Sequence, residues 1–249
     1  MTRQRLVDSI SSRDRRFAAE IEEYRRQVAS IANSPDPRKR DALMRYADGD
    51  RKGAFEAMVA IQRAETKAVA AGWREVAALA QDRKDRGEMG TAEVIPLYEE
   101  AQKLDPTYAW GWIELGRLYQ EVGNLPEARR SGEQALVNSH DDRDRSASGT
   151  DLGDVLVASG DLSGGRARYE QSLQIRERLS AANPSSAEAQ RDLLVSHMKL
   201  GRFPGGDSHW SKALEIALKL QSQGRLAPRD AGIVDALQEW VASNGKTEP

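Results

Sequence analysis

The chain has no cysteine among its 249 residues, and only three histidines, three phenylalanines and nine prolines. Without cysteine there can be no disulfide, no thiolate metal site and no cysteine nucleophile. No run approaches the ~20 apolar residues that cross a bilayer. The opening Met-Thr-Arg-Gln-Arg-Leu-Val-Asp lacks the apolar stretch of a secretory signal. A large charge of either sign is missing too. Thirty-seven basic residues face 39 acidic ones, a net charge of −2, so no whole-molecule field points to nucleic acid or to an anionic membrane. These absences lead to the expectation of a cytoplasmic protein with neither nucleic acid nor membrane as a partner. Charged residues make up 31% of the chain and aromatics 6%, which suits long, solvated helices better than one thick core.

Catalytic patterns are missing as well. His140, His197 and His209 stand in no metal-ligand spacing. Asp48-Gly49-Asp50-Arg51-Lys52-Gly53 begins like a calcium loop, yet Lys52 and Val59 occupy places where that loop needs oxygen ligands, and a turn is expected. Gly245-Lys246-Thr247 imitates the end of a phosphate loop, but Trp240 holds the place of its first glycine. Acid pairs such as Glu22-Glu23 and Glu99-Glu100 are sequence neighbours, so on a helix they diverge around the axis. No catalytic residue, metal or cofactor is expected, and the chain reads as a non-enzyme.

What the chain does have is periodicity. Trp112, Leu115, Gly116 and Tyr119 fall on the spacing W-x2-L-G-x2-Y, with Ala128 and Ala135 following at small-residue positions. This resembles the tetratricopeptide repeat, a helix–turn–helix unit of about 34 residues. In that pattern Gly116 and Ala128 let two helices approach, and Trp112 and Tyr119 fill the gaps between turns. A single such unit cannot bury its apolar face, so copies must stack. The resemblance implies an all-α solenoid, a right-handed superhelix of about ten to twelve helices with no sheet.

Further copies can be read on both sides. Leu152-Gly153 and Leu200-Gly201 repeat the Leu-Gly pair of Leu115-Gly116, at intervals of 37 and 48 residues. Gly160-Asp161-Leu162 marks an inter-helix turn, followed by Tyr169 and Leu173 at apolar positions, with the small Gly165 and Ser172 where the family has alanine. The longer interval suggests longer helices over 162–182 and 185–200. In the third copy Pro204 and Gly205-Gly206 end the first helix early, before Trp210 and Ala213 resume. Ile233, Val234, Leu237, Trp240 and Val241 read as a capping helix, which the last apolar face of a solenoid requires. Upstream, 73–80 and 94–104 read as a degenerate repeat, and 42–46 with 54–61 as a weaker helical pair. The expected organisation is a heptad helix over 1–35, a helical pair over 36–69 and the repeat array over 70–249.

In the first of these segments Val7, Ile10, Phe17, Ile21, Tyr24, Val28 and Ile31 recur by threes and fours over about four heptads, with Asp14 the one charged a position. Three readings stay open. The segment is a coiled coil that makes the chain a homodimer, an amphipathic helix folded back on the repeats, or a stalk that follows another domain in a longer polypeptide.

In the family the first helix of each pair lines a concave groove. Carried onto this chain, the groove positions are Trp110, Ile113, Arg117 and Gln120 in one copy, Ala147, Thr150, Asp154 and Val157 in the next, and Val195, Met198 and Arg202 in the third. Members that grip a chaperone's C-terminal carboxylate have lysine and asparagine where Ile113 and Arg117 stand here, so that clamp is absent. The groove instead offers an aromatic and an aliphatic anchor beside Arg117 and Asp154. Trp110 has two readings, a groove anchor or a core residue packed on the preceding repeat. The expected function is a non-catalytic scaffold or adaptor holding a peptide or helix of a partner protein in the groove. The alternative is a self-association or sensor module of a larger bacterial effector or signalling system, suggested by the Gly160-Asp161-Leu162 turn and the helix end Ile175-Arg176-Glu177-Arg178-Leu179.

Overall fold

In a computed structural model of the protein, residue 29 and residues 33–244 are described. The heptad segment from Val7 to Ile31 and the tail at Gly245-Lys246-Thr247 lie outside the described residues. Among those described there are ten α-helices, one short 3-10 turn and no strand. The fold is an all-α repeat fold. It divides into two compact units, Met1–Val69 and Ala70–Pro249.

The first unit holds α1 (Pro37–Ala47) and the start of α2 (Arg51–Asp85). Asp36 caps α1, accepting a 2.8 Å hydrogen bond from the Arg38 backbone N–H, and Pro37 needs no donor at the first position. Asp48-Gly49-Asp50 is the turn expected from its residue types, with Gly49 at φ +94°. α2 differs from the sequence reading. The segments around 54–61 and 73–80 belong to one helix of 35 residues, because no proline interrupts the stretch and Gly72 lies in open space.

The second unit continues through α3 (Thr91–Leu104), α4 (Ala109–Glu121), α5 (Leu125–Val137), α6 (Asp142–Ala158), α7 (Leu162–Ala182), α8 (Ala187–Gly201), α9 (Asp207–Ser222) and α10 (Ile233–Asn244). Each helix from α3 onward packs on the next, and α4 also packs on α6. The pairs are therefore α4/α5, α6/α7 and α8/α9, with α10 covering the end. Start signals recur along the array. Asn124, Asp141, Asp161 and Ser186 each accept a hydrogen bond from a backbone N–H in the first turn of the following helix. The turns inside the first two pairs are built alike. Gly123 and Gly160 take φ of +76° and +87°, where a side chain would be strained. The next residue then donates its N–H back to Tyr119 or Leu156 at 2.8 and 2.9 Å.

The core is a chain of small clusters, each joining a helix pair to the helix that follows. Ala77 and Ala80 of α2 meet Val94, Ile95 and Tyr98 of α3 and Leu115 and Leu118 of α4, with Trp112 and Tyr119 packed alongside. Tyr169 and Leu173 of α7 meet Leu200 of α8, flanked by Val157 and Phe203. Leu194 of α8, Ala213 and Ala217 of α9 and Val234 and Leu237 of α10 form the last cluster. The Trp210 and Trp240 rings lie 4.9 Å apart there, so the capping helix is docked by an aromatic pair.

Close approach is tightest one repeat later than the signature suggests. A Cβ on Gly116 would sit 3.5 Å from the Ala128 carbonyl oxygen, an ordinary contact. A Cβ on Gly165 would sit 2.5 Å from a Val157 methyl and 3.0 Å from the Gly153 carbonyl oxygen. One on Gly153 would enter the Tyr169 ring at 2.6 Å. The α6/α7 seam thus depends on glycine, whereas α4/α5 does not. Gly116→Ala is expected to leave stability unchanged or raise it by up to about 1 kcal/mol through helix propensity. Gly165→Ala is expected to lose about 1–3 kcal/mol by overpacking. Urea melts of the two variants beside wild type check the contrast.

Candidate functional site

The face formed by the first helices, α4, α6 and α8, is the candidate site. The repeat positions carry Trp110, Arg117 and Gln120 on α4, Asp154 on α6 and Arg202 just past α8. Trp110 is half-buried. Its indole N–H donates to Asp144 at 2.7 Å, and the Arg143 guanidinium stands 5.9 Å from the ring centre. Arg117 is exposed but engaged: it donates to both Asp151 carboxylate oxygens, at 3.1 and 3.0 Å, and to Glu114 at 2.9 Å. Asp154 accepts from the Lys199 ammonium at 2.6 and 2.7 Å and from the Tyr169 hydroxyl at 2.5 Å. Arg143 pairs with Glu188. Gln120 is half-buried beside Arg117, and Arg202 is exposed.

Three of the sequence-derived positions need correction, and Thr150 on α6 is one: it is 7% exposed and its hydroxyl donates to the Ser146 carbonyl of its own helix. Ile113 is 1% exposed, in the seam beside Ala128 and Ala135 of α5 and Val155 of α6, and offers no surface to a partner. Met198 is packed on the cluster around Leu194. The last two follow from the width of the buried stripe, since a first helix that touches its own partner helix and the next pair buries more than one edge. Trp112, by contrast, lies in the first core cluster and donates its indole N–H to the Pro106 carbonyl at 2.8 Å.

The sequence reading missed the acids and bases that tie the face together, although a signal for them exists. Trp110–Asp144 and Arg117–Asp151 both join residues 34 apart, and Arg143–Glu188 and Asp154–Lys199 both join residues 45 apart. These separations are three fewer than the Leu-Gly intervals of 37 and 48. In these four pairs a side chain of one first helix therefore meets the next about a turn before the equivalent residue.

The electrostatics follow from partial burial. Burial raises the pKa of Asp151, opposed by Arg117, and raises that of Glu114 in the same way. Burial likewise pushes up the Tyr169 hydroxyl, reinforced by its hydrogen bond to Asp154. Away from this face, His197 is 3% exposed, with its Nδ1 2.9 Å from the Nδ1 of His209. Burial lowers His197 to about 4, and the neighbouring His209 and Lys212 add to the shift. Two neutral imidazoles sharing one proton pin α8 to α9. Neither has a third ligand, and no group of three or more His, Asp or Glu side chains among the described residues is placed to hold a metal ion. No described helix is long and apolar enough to cross a membrane.

Comparison with known proteins bears on the repeat. Residues 97–130 match the family model described as Tetratricopeptide repeat. No curated protein matches the chain. Among solved structures it is similar to a crystal structure of MamA, at 18% identity over 73% of this chain and 96% of that one, with a TM-score of 0.43. A second crystal structure of MamA protein gives 18% identity, 73% and 90% coverage and a TM-score of 0.42. A crystal structure of a Podosopora anserina putative kinesin light chain with nearly identical TPR-like repeats gives 17% identity, 72% and 99% coverage and a TM-score of 0.47.

Asp151 and Glu114 have pKa values raised on folding, so they favour the fold when neutral. That contribution is present below the ordinary carboxylate range and lost as pH rises through the folded values. Arg117 offsets the loss. Arg117→Met is therefore expected to cost about 1–3 kcal/mol at neutral pH, the range for buried acceptors left without a partner. The deficit should shrink by about pH 4, where carboxylates protonate. Urea melts of wild type and variant at both pH values measure it.

Proposed function

We propose that this chain, in which residues 97–130 match a tetratricopeptide repeat, is a non-catalytic scaffold that binds a peptide or helix of a partner protein across the first-helix face of α4, α6 and α8. The observation that carries the reading is the pairing of Trp110 with Asp144. The indole is held by its N–H at 2.7 Å, which leaves a half-exposed aromatic ring fixed in one orientation beside Arg143. A ring held this way loses little conformational entropy when a partner covers it. Tryptophan and arginine are also the residue types that most often dominate interface energetics. Arg117 adds a second anchor. Its side chain remains 48% exposed while it pairs with Asp151 and Glu114, so a neutral polar or aromatic group of a partner would meet a guanidinium already oriented. Asp154, saturated by Lys199 and Tyr169, serves as a strut of the face and not as a contact.

Trp110→Ala is expected to weaken partner capture by about 2 kcal/mol, roughly thirtyfold, with helicity unchanged. Trp110→Phe, which keeps a ring and loses the hydrogen bond, should fall between the two. Affinity capture from the source cell with wild type and both variants, followed by circular dichroism of each, is the test. Retention of every partner by Trp110→Ala would overturn the reading. So would a Trp110→Ala variant that melts as a core truncation does, with a loss in the range of about 3–5 kcal/mol.

A further inference from the structure

Arg176, near the end of α7, is a buried cation with no direct ion pair among the described residues. It is 7% exposed, and the acceptors its guanidinium holds among the described residues are neutral. Its Nη1 donates to the Asp192 backbone carbonyl at 3.2 Å and to the Ser196 hydroxyl at 2.9 Å, while its Nε has no hydrogen-bond partner. Burial lowers its pKa, and Asp192, Asp151 and Asp154 attract it only through space. A charge with no direct ion pair at such depth is a large burden on a fold unless something neutralises it.

Arg176 also lines a cleft of about 190 Å³ between α6, α7 and α8. Leu179 and Ala189 give the cleft apolar walls, and Ser186 opens α8 at its edge. Ser186 caps that 15-residue helix by accepting from the Ala189 N–H at 3.1 Å, so the positive end of the helix points into the same space. Arg143 stands at the rim, paired with Glu188, and Asp192 stands within.

We propose that this cleft binds a monoanionic carboxylate on a short aliphatic chain, which becomes the direct counter-ion of Arg176. The forked guanidinium and the helix start select an oxyanion, and Leu179 and Ala189 cover the chain behind it. Glu188 and Asp192 set the charge limit: two acids already at the site repel a dianion such as phosphate more than a single carboxylate. The carboxylate comes either from a free small acid or from an acidic side chain of a partner protein. The cleft shares Arg143 with the Trp110 surface, but the proposal rests on Arg176 and does not depend on the function proposed for that surface.

The test is calorimetric titration of the whole chain at low salt with glutarate half-amide, with glutaramide, with inorganic phosphate, and with a short peptide blocked at both ends around one glutamate. The half-amide is expected to bind at one site, glutaramide not at all, and phosphate more weakly than the half-amide. Binding of the blocked peptide assigns the carboxylate to a partner protein, and its failure beside half-amide binding assigns it to a free acid. Arg176→Met should weaken the half-amide by about tenfold or more, and Asp192→Asn should strengthen it by removing a like charge. If Arg176→Met does not fold, Ala189→Phe, which fills the cleft from its apolar wall, carries the same expectation of lost binding. The proposal is overturned by absence of half-amide binding, by phosphate binding more tightly, or by binding that survives the folded variants.

Discussion

A helix pair whose apolar face is wider than its own hairpin can cover is the constraint on which the second unit of this molecule depends. Each pair must bury the remainder against the next first helix. The clusters of the core accordingly take residues from three consecutive helices, as Tyr169, Leu173 and Leu200 do across α7 and α8 with Val157 of α6. The array ends where a helix without a partner hairpin, α10, lays Val234 and Leu237 on the last open face. Because the stacking is hydrophobic and repeated, it also fixes the sliding register of one first helix against the next. Everything polar on the first-helix face follows from that register. Arg117 reaches Asp151, Trp110 reaches Asp144 and Lys199 reaches Asp154 because the helices stack one turn out of step with the repeat.

Most of the fold was legible because it rests on local chemistry. Helix α7 ends where Asn183-Pro184 stops it, α8 stops at Gly201 before Pro204, and the Gly123 and Gly160 turns demand positive φ at those residues. The join of two expected helices into α2 was missed although 62–72 is rich in alanine and other strong helix formers, because the stretch was divided between two repeat-like segments. The candidate site was legible only in part. Trp110 and Arg117 could be placed on a face by helical spacing, but spacing alone does not distinguish an exposed isoleucine from one in a seam. Ile113 and Arg117 lie one turn apart on the same side of α4, and only the packing of α5 and α6 decides that Ile113 is covered beside Ala128 and Ala135 while the longer Arg117 reaches the surface. The acids that answer Trp110 and Arg117 were hidden for another reason: pairing across helices depends on the offset between them, which no single repeat encodes.

Two cations illustrate how differently the same residue type is used. Arg117 sits at the surface between two carboxylates whose burial it compensates, and its charge is neutralised within the chain. Arg176 is deeper, holds only a carbonyl and a hydroxyl, and faces a cleft. The first arrangement ties a surface together through ion pairs; the second holds a cation through neutral acceptors. The His197–His209 pair is a third device, in which two bases stay neutral so that one can donate to the other in a buried seam. None of these is visible in the repeat signature, which records shape and small-residue packing and says little about charge.

The central claim, that the first helices are stacked one turn out of step and tied across that offset, is tested most directly by double-mutant cycles on stability. Arg117 and Asp151, 34 residues apart, form one cycle; Arg117 and Asp154, separated by the full Leu-Gly interval of 37, form the control. The account predicts a coupling energy of about 0.5 kcal/mol or more for the first pair and near-additivity, within about 0.3–0.5 kcal/mol, for the second. Additive effects at Arg117 and Asp151, with coupling at Arg117 and Asp154 instead, would contradict it.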